Sequence, residues 1–173
     1  AEVTSIGAEA FYGNLALASV TFNEKLTTTG ASAFANCTSL ISVTLPVSLT
    51  KIGDKMFESC TSLSSVTLPD EMEKLGKYMF RYCSALTSIR LPALLEDTNS
   101  YTFEGTALES VTVPQYVSEI GTASFRNIAA LETVIFEGVI AEIGKQAFKG
   151  CTSLTTISFP EGLGVIDDNA FEN

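Results

Sequence analysis

Phenylalanine recurs at positions 11, 34, 57, 80, 103, 125, 148 and 171, spaced 23 residues apart except for a single interval of 22 between Phe103 and Phe125. A period that regular admits few folds. It marks one structural unit copied about eight times and stacked on itself, each copy burying apolar positions against its neighbours. The expected architecture is a single repeat solenoid over residues 1–173, its first and last copies incomplete, with a long thin core.

Alignment on the phenylalanine exposes further fixed slots. An aliphatic residue and a glycine precede it in Ile6-Gly7, Ile52-Gly53, Leu75-Gly76, Ile120-Gly121 and Ile143-Gly144. Leucine follows at 17, 40, 63, 86, 131 and 154, then apolar pairs such as Val43 and Leu45, Val66 and Leu68, Ile89 and Leu91. The Ser-Val-Thr-Leu runs at 42–45 and 65–68 alternate polar with apolar, β-branched residues, which reads as a strand with one buried face. All five prolines, at 46, 69, 92, 114 and 160, fall just after such a run, where a residue without an N–H ends pairing. One short parallel strand per coil of about 23 residues follows, with short helical turns and loops on the other side.

Two slots carry specific backbone expectations. The glycine slot is expected to have positive φ, since Asn99 and Asp167 occupy it in two repeats and both tolerate left-handed geometry. The phenylalanine, preceded by Ala10, Ala33, Ala147 or Ala170 in four repeats, is expected on a single helical turn that plugs the coil interior. The fifth repeat is irregular: Leu108 follows Phe103 by five positions where six is the rule. Val111 and Val113 still alternate with Ser110 and Thr112, so the buried strand face is expected to survive the deletion.

The combined pattern Leu-x-x-Val-x-Leu-Pro and Ile-Gly-x-x-x-Phe-x-x-Cys-x-x-Leu resembles the BspA-like, or Treponema pallidum type, leucine-rich repeat. Residues 52–69 and 143–160 carry it in full, and the resemblance covers essentially the whole chain. It implies a right-handed, leucine-rich-repeat-like solenoid. It also implies a cell-surface or secreted protein of a host-associated microbe, some relatives of which bind host matrix proteins or mediate attachment. The chain starts at Ala1 just before one Ile-Gly step and stops after another phenylalanine, so a fragment of a longer array is expected.

Composition narrows the chemistry. Twenty acidic residues against ten basic ones give a formal charge of -10, which opposes attraction to nucleic acid or anionic lipid. No apolar run approaches the ~20 residues of a membrane span, so no membrane insertion is expected. There is no histidine, which removes the usual general base and commonest metal ligand. Cys37, Cys60, Cys83 and Cys151 share one slot three residues past a phenylalanine. Neighbouring copies stand close enough for a disulfide, but Ile128 and Asn14 fill the same slot, which favours a column of free, buried thiols. Glu119 and Glu142, each before Ile-Gly, suggest a small acidic ladder and a weak calcium site as a minor alternative. An enzyme is not expected, nor any cofactor.

The outward residues of the strands form two columns. One holds Ser42, Ser65, Ser88, Ser110 and Thr133; the other holds Thr44, Thr67, Arg90, Thr112 and Ile135. This strand face is the expected protein-binding surface, with a host surface or extracellular matrix protein as partner. Arg90 and Ile135 interrupt its monotony, while Tyr82 and Tyr116 fall in turns beside the sheet. Serine and threonine are also ordinary solvent-side strand residues, so a structural spacer without a ligand is the alternative. A threonine ladder that organises water or ice is a weaker third, since Arg90 and Ile135 break it. Unpaired ladder groups at the two ends invite end-to-end self-association.

Overall fold

The computed structural model describes residues 2–173 as a stack of coils threaded by one aromatic column. The rings of Phe11, Phe34, Phe57, Phe80, Phe103, Phe125, Phe148 and Phe171 stack face to face, with centroids 4.9–5.9 Å apart. Coils joined by backbone hydrogen bonds lie about 4.8 Å apart, so a residue repeated once per coil must meet its own copy, and a flat ring meets it in an offset stack. From Phe34 to Phe148 the rings are buried, together with the repeated leucine slot at Leu40, Leu63, Leu86, Leu108 and Leu131. The solenoid expectation holds.

Nine short strands occur among the described residues, all paired in parallel: β1 (Ser5–Ile6), β2 (Thr28–Thr29), β3 (Ser42–Thr44), β4 (Ser65–Thr67), β5 (Ser110–Val113), β6 (Glu119–Ile120), β7 (Thr133–Phe136), β8 (Glu142–Ile143) and β9 (Val165–Ile166). They fall into two rows. The expected row contains β3–β4 and β5–β7, with Ser42 opposite Ser65 and Ser110 opposite Thr133. A second row, at the residues just before the glycine slot, contains β1–β2 and β6–β8–β9. That row is too short, at two residues per strand, to show the polar–apolar alternation of a strand in the sequence.

The segment around each phenylalanine is a turn, and no α-helix forms among the described residues. The reason is where its N–H groups go. Those of Ser32, Phe34 and Asn36 donate to Asp54, Met56 and Glu58 of the next coil at 2.8–3.0 Å, while Ala35 and Cys37 donate back within their own coil. A helix would keep all of them local. Aiming alternate N–H groups along the stack puts left-handed residues two before and two after the ring, as at Ser32 and Asn36, Lys55 and Ser59, Tyr78 and Tyr82.

In the repeats that carry glycine, left-handed backbone therefore lies beside that slot and not in it. Gly30, Gly53, Gly76, Gly121 and Gly144 all lack positive φ. Close stacking demands glycine at individual positions: a Cβ on Gly53 would stand 2.2 Å from the carbonyl carbon of Gly30, and one on Gly121 would stand 2.3 Å from the Asn99 backbone oxygen. Asn99 does adopt φ 58° in that slot, whereas Asp167 does not.

Candidate protein-binding face

Alternation along each strand sends one side chain inward and the next outward. Val43, Val111, Val113 and Val134 are buried, while Ser42, Thr44, Ser65, Thr67, Ser88, Arg90, Ser110, Thr112, Thr133 and Ile135 are all exposed. The structure thus brings the ten candidate residues onto one surface, though not onto one continuous sheet. No strand pairing joins β4 to Ser88–Arg90 or Ser88–Arg90 to β5 among the described residues. Contact between those coils resumes on either side, where Glu109 donates to Thr87 and Ser118 donates to Glu96.

A cleft of about 390 Å³ opens on the face at this break, lined by Ser88, Arg90, Ser110, Thr112, Pro114 and Glu137 among others. The Arg90 guanidinium bonds Asp70 Oδ1 at 2.5 Å. That hydrogen bond and charge raise Arg90, with Glu137 adding more weakly, and hold the Asp70 carboxyl below its ordinary value. The cleft offers one anchored cation between carboxylates, together with hydroxyls.

The four cysteine thiols are held within the stack. Each donates to the phenylalanine carbonyl of the preceding coil: Cys37 to Phe11, Cys60 to Phe34, Cys83 to Phe57 and Cys151 to Phe125, at 3.1–3.2 Å. All four are free and buried. Burial pushes Cys60 up to about 12 and Cys151 up to about 11, so at neutral pH they are thiols and not nucleophilic thiolates. Asp97, Glu119 and Glu142 do form an acidic column through the second strand row. Burial raises the Glu119 carboxyl, and Glu142 and Asp97 add to it. No group of three or more His, Cys, Asp or Glu side chains gathers to hold an ion among the described residues.

One cluster escaped the sequence reading. Glu104 is fully buried on the turn side, where Arg81 Nε bonds its Oε2 at 2.6 Å and Arg126 Nη2 bonds its Oε1 at 2.5 Å. Arg81 also reaches Glu58 at 3.4 Å and lies over the Tyr82 ring at 4.4 Å; Tyr78 and Tyr101 stack beside it at 4.8 Å. The signal was present: from Phe57 onward, the residue after each phenylalanine of the column reads Glu58, Arg81, Glu104, Arg126, Lys149, Glu172. Opposite charges one coil apart form a ladder, just as opposite charges one turn apart do on a helix.

A sequence profile of the BspA type leucine rich repeat region, in six copies, matches residues 4–132 and 118–173. Among solved structures, the T. pallidum leucine rich repeat protein superposes with a TM-score of 0.81 at 28% identity, over 88% of this chain and 72% of that one. A leucine-rich repeat protein from Bacteroides ovatus gives 0.62 at 25% identity, over 98% of this chain and 68% of that one. The pneumococcal vaccine antigen PcpA gives 0.59 at 21% identity over 93% of this chain, which spans 49% of that protein and shares its fold. A comparison with curated protein sequences returns no match.

Proposed function

The chain belongs to the BspA type leucine-rich repeat family, and from that premise we infer that it is a non-enzymatic protein-binding module of a cell-surface or secreted protein. Leucine-rich repeats are generally protein-interaction modules, and members of this family are often surface proteins. The reading is that the strand face engages a host surface or extracellular matrix protein in attachment.

The observation that supports it is the break in the ladder. A spacer needs only a uniform rod, and a water-organising surface needs a flat unbroken lattice. Here the face is interrupted by a cleft holding an anchored Arg90, with Ile135 52% exposed two coils further on. Arginine and large apolar side chains are what a polar face lacks and what interface centres are made of.

Binding of the purified chain to surfaces coated with extracellular matrix proteins tests this. Saturable binding that falls about tenfold or more in Arg90→Glu combined with Ile135→Asp is expected. Saturable binding that ignores both substitutions would mean that another face is used. Absence of saturable binding to any such surface would leave the spacer as the better account.

A further inference from the structure

In three successive coils the same surface slot departs from its polar habit without any demand from the core. The slot two residues past each strand-ending proline holds Ser48 and Glu71 in the second and third coils, then Leu94 and Tyr116 in the fourth and fifth. Val139 holds the equivalent place in the sixth coil, where Phe136 ends β7 and no proline follows. Leu94, Tyr116 and Val139 are 42, 56 and 63% exposed. The next residue in each coil, Leu95, Val117 or Ile140, is completely buried and already fills the core position. The three outward side chains therefore add nothing to the interior.

They stand in register. Ser118 donates to Glu96 at 3.2 Å and Ala141 donates to Ser118 at 2.8 Å, which locks consecutive copies of this segment together. Gly138 seats the sixth coil closely on the fifth, because a Cβ there would lie 2.1 Å from the Gln115 oxygen. Beyond Val139 comes Gly162, at φ +89°, whose missing side chain would have touched Val139 Cγ1 at 3.0 Å. The outer flank of the patch is thereby left open. On its other side lies the strand face, with Ile135 and the cleft that contains Glu137. Isolated exposed apolar residues are ordinary. Three in successive coils make a contiguous apolar strip, and the tyrosine at its middle is of a type enriched at interface centres.

We propose that Leu94, Tyr116 and Val139 form the centre of a protein-docking site at the rim of the strand face, and that its occupant is a basic protein surface presenting an apolar side chain. The proposal rests on the reading of the strand face as protein-binding and gives that reading a centre and a partner chemistry. Charge complementarity selects the partner. The chain has a formal charge of -10, and the patch borders Glu137, with Arg90 already committed to Asp70. A basic surface is drawn to such a site, and a second copy of the same acidic chain is repelled.

Panning a phage-displayed library of random dodecapeptides on the whole chain tests this. Enriched peptides should carry an aromatic or aliphatic residue flanked by lysine or arginine. They should bind about tenfold or more weakly when Leu94→Ser, Tyr116→Ser and Val139→Ser are combined, while Val47→Ser, an exposed residue in the second coil, changes nothing. All of these positions are exposed, so each variant is expected to keep the fold, which circular dichroism checks. Peptides that ignore the triple substitution but are lost in Arg90→Glu with Ile135→Asp overturn the rim and keep the strand face. Peptides indifferent to both sets overturn both readings, and acidic peptides or no enrichment overturn the proposed partner. A dimer in sedimentation equilibrium that the triple variant abolishes would assign the rim to a second copy and also overturn it.

Discussion

The coils of Phe34 and Phe57 and those of Phe80 and Phe103 meet the same stacking requirement with different parts. The first pair joins through the β3–β4 ladder, a glycine at 53 pressed against Gly30, and a Cys60 thiol on the Phe34 carbonyl. The second pair has no strand ladder, places Asn99 at the glycine slot and Thr106 at the cysteine slot, and buries Glu104 against Arg81 and Arg126. Yet the rings stand 5.7 Å apart in one pair and 5.8 Å apart in the other. In both, the turn N–H groups still cross to the next coil, as from Tyr78, Phe80 and Tyr82 to Ser100, Thr102 and Glu104. The aromatic column and the turn ladder therefore set the stacking. Strand hydrogen bonds can lapse on one side, and the cleft opens where they do.

The strongest way to break this comparison is to remove a ring. Phe80→Ala is expected to destabilise the chain by about 3–5 kcal/mol in urea unfolding; a loss under ~1 kcal/mol would show that the column does not govern the stack. Next in size is the glycine slot. Gly53→Ala should lose about 3 kcal/mol, because the new Cβ meets backbone and not a yielding side chain. Asn99→Gly should change stability by about 1 kcal/mol at most, and equal losses at the two positions would refute the different accounts given for them.

The ionic clamp comes third. Glu104→Ala should lose about 1–3 kcal/mol, less than a wholly buried pair, since Arg81 and Arg126 keep about a quarter of their side chains in water. A double-mutant cycle between Glu104 and Arg126 should give coupling, and strict additivity would argue against a clamp. The thiols provide a smaller, pH-dependent contrast. Their native values are raised, with Cys60 at about 12 and Cys151 at about 11, so above about pH 8.5 the unfolded chain ionises first. The native state then binds more protons, and stability falls as pH rises. Cys60→Ala combined with Cys151→Ala should make that fall shallower; an unchanged slope between pH 8 and 10 would exclude these two thiols as its source. The subtlest effect is local. Amides of Ser88–Leu91 should exchange hydrogen faster than those of Ser110–Val113, and equal protection would mean that the gap in the ladder is not open in solution.

The solenoid, the aromatic column, the strand face and its ten outward residues were all legible in the chain, because each rests on a repeated offset and a repeat multiplies a weak signal. The turn was misread as helical and the glycine slot as left-handed for one shared reason. Both depend on where a backbone group points relative to the next coil, and local propensity around Ala33-Phe34 or Ile52-Gly53 contains no neighbour. The Glu104 clamp was written at a fixed offset but concealed among ordinary surface charges.

From the amino-acid order alone came the coil length, the faces of the strands and the residues that must meet their own copies, since those follow from spacing and polarity. Only the stacked structure decided which hydrogen bonds cross between coils, where the ladder lapses and how Leu94, Tyr116 and Val139 line up. Those are relations between segments 22 or 23 residues apart, and they acquire an energy only once the coils are in contact.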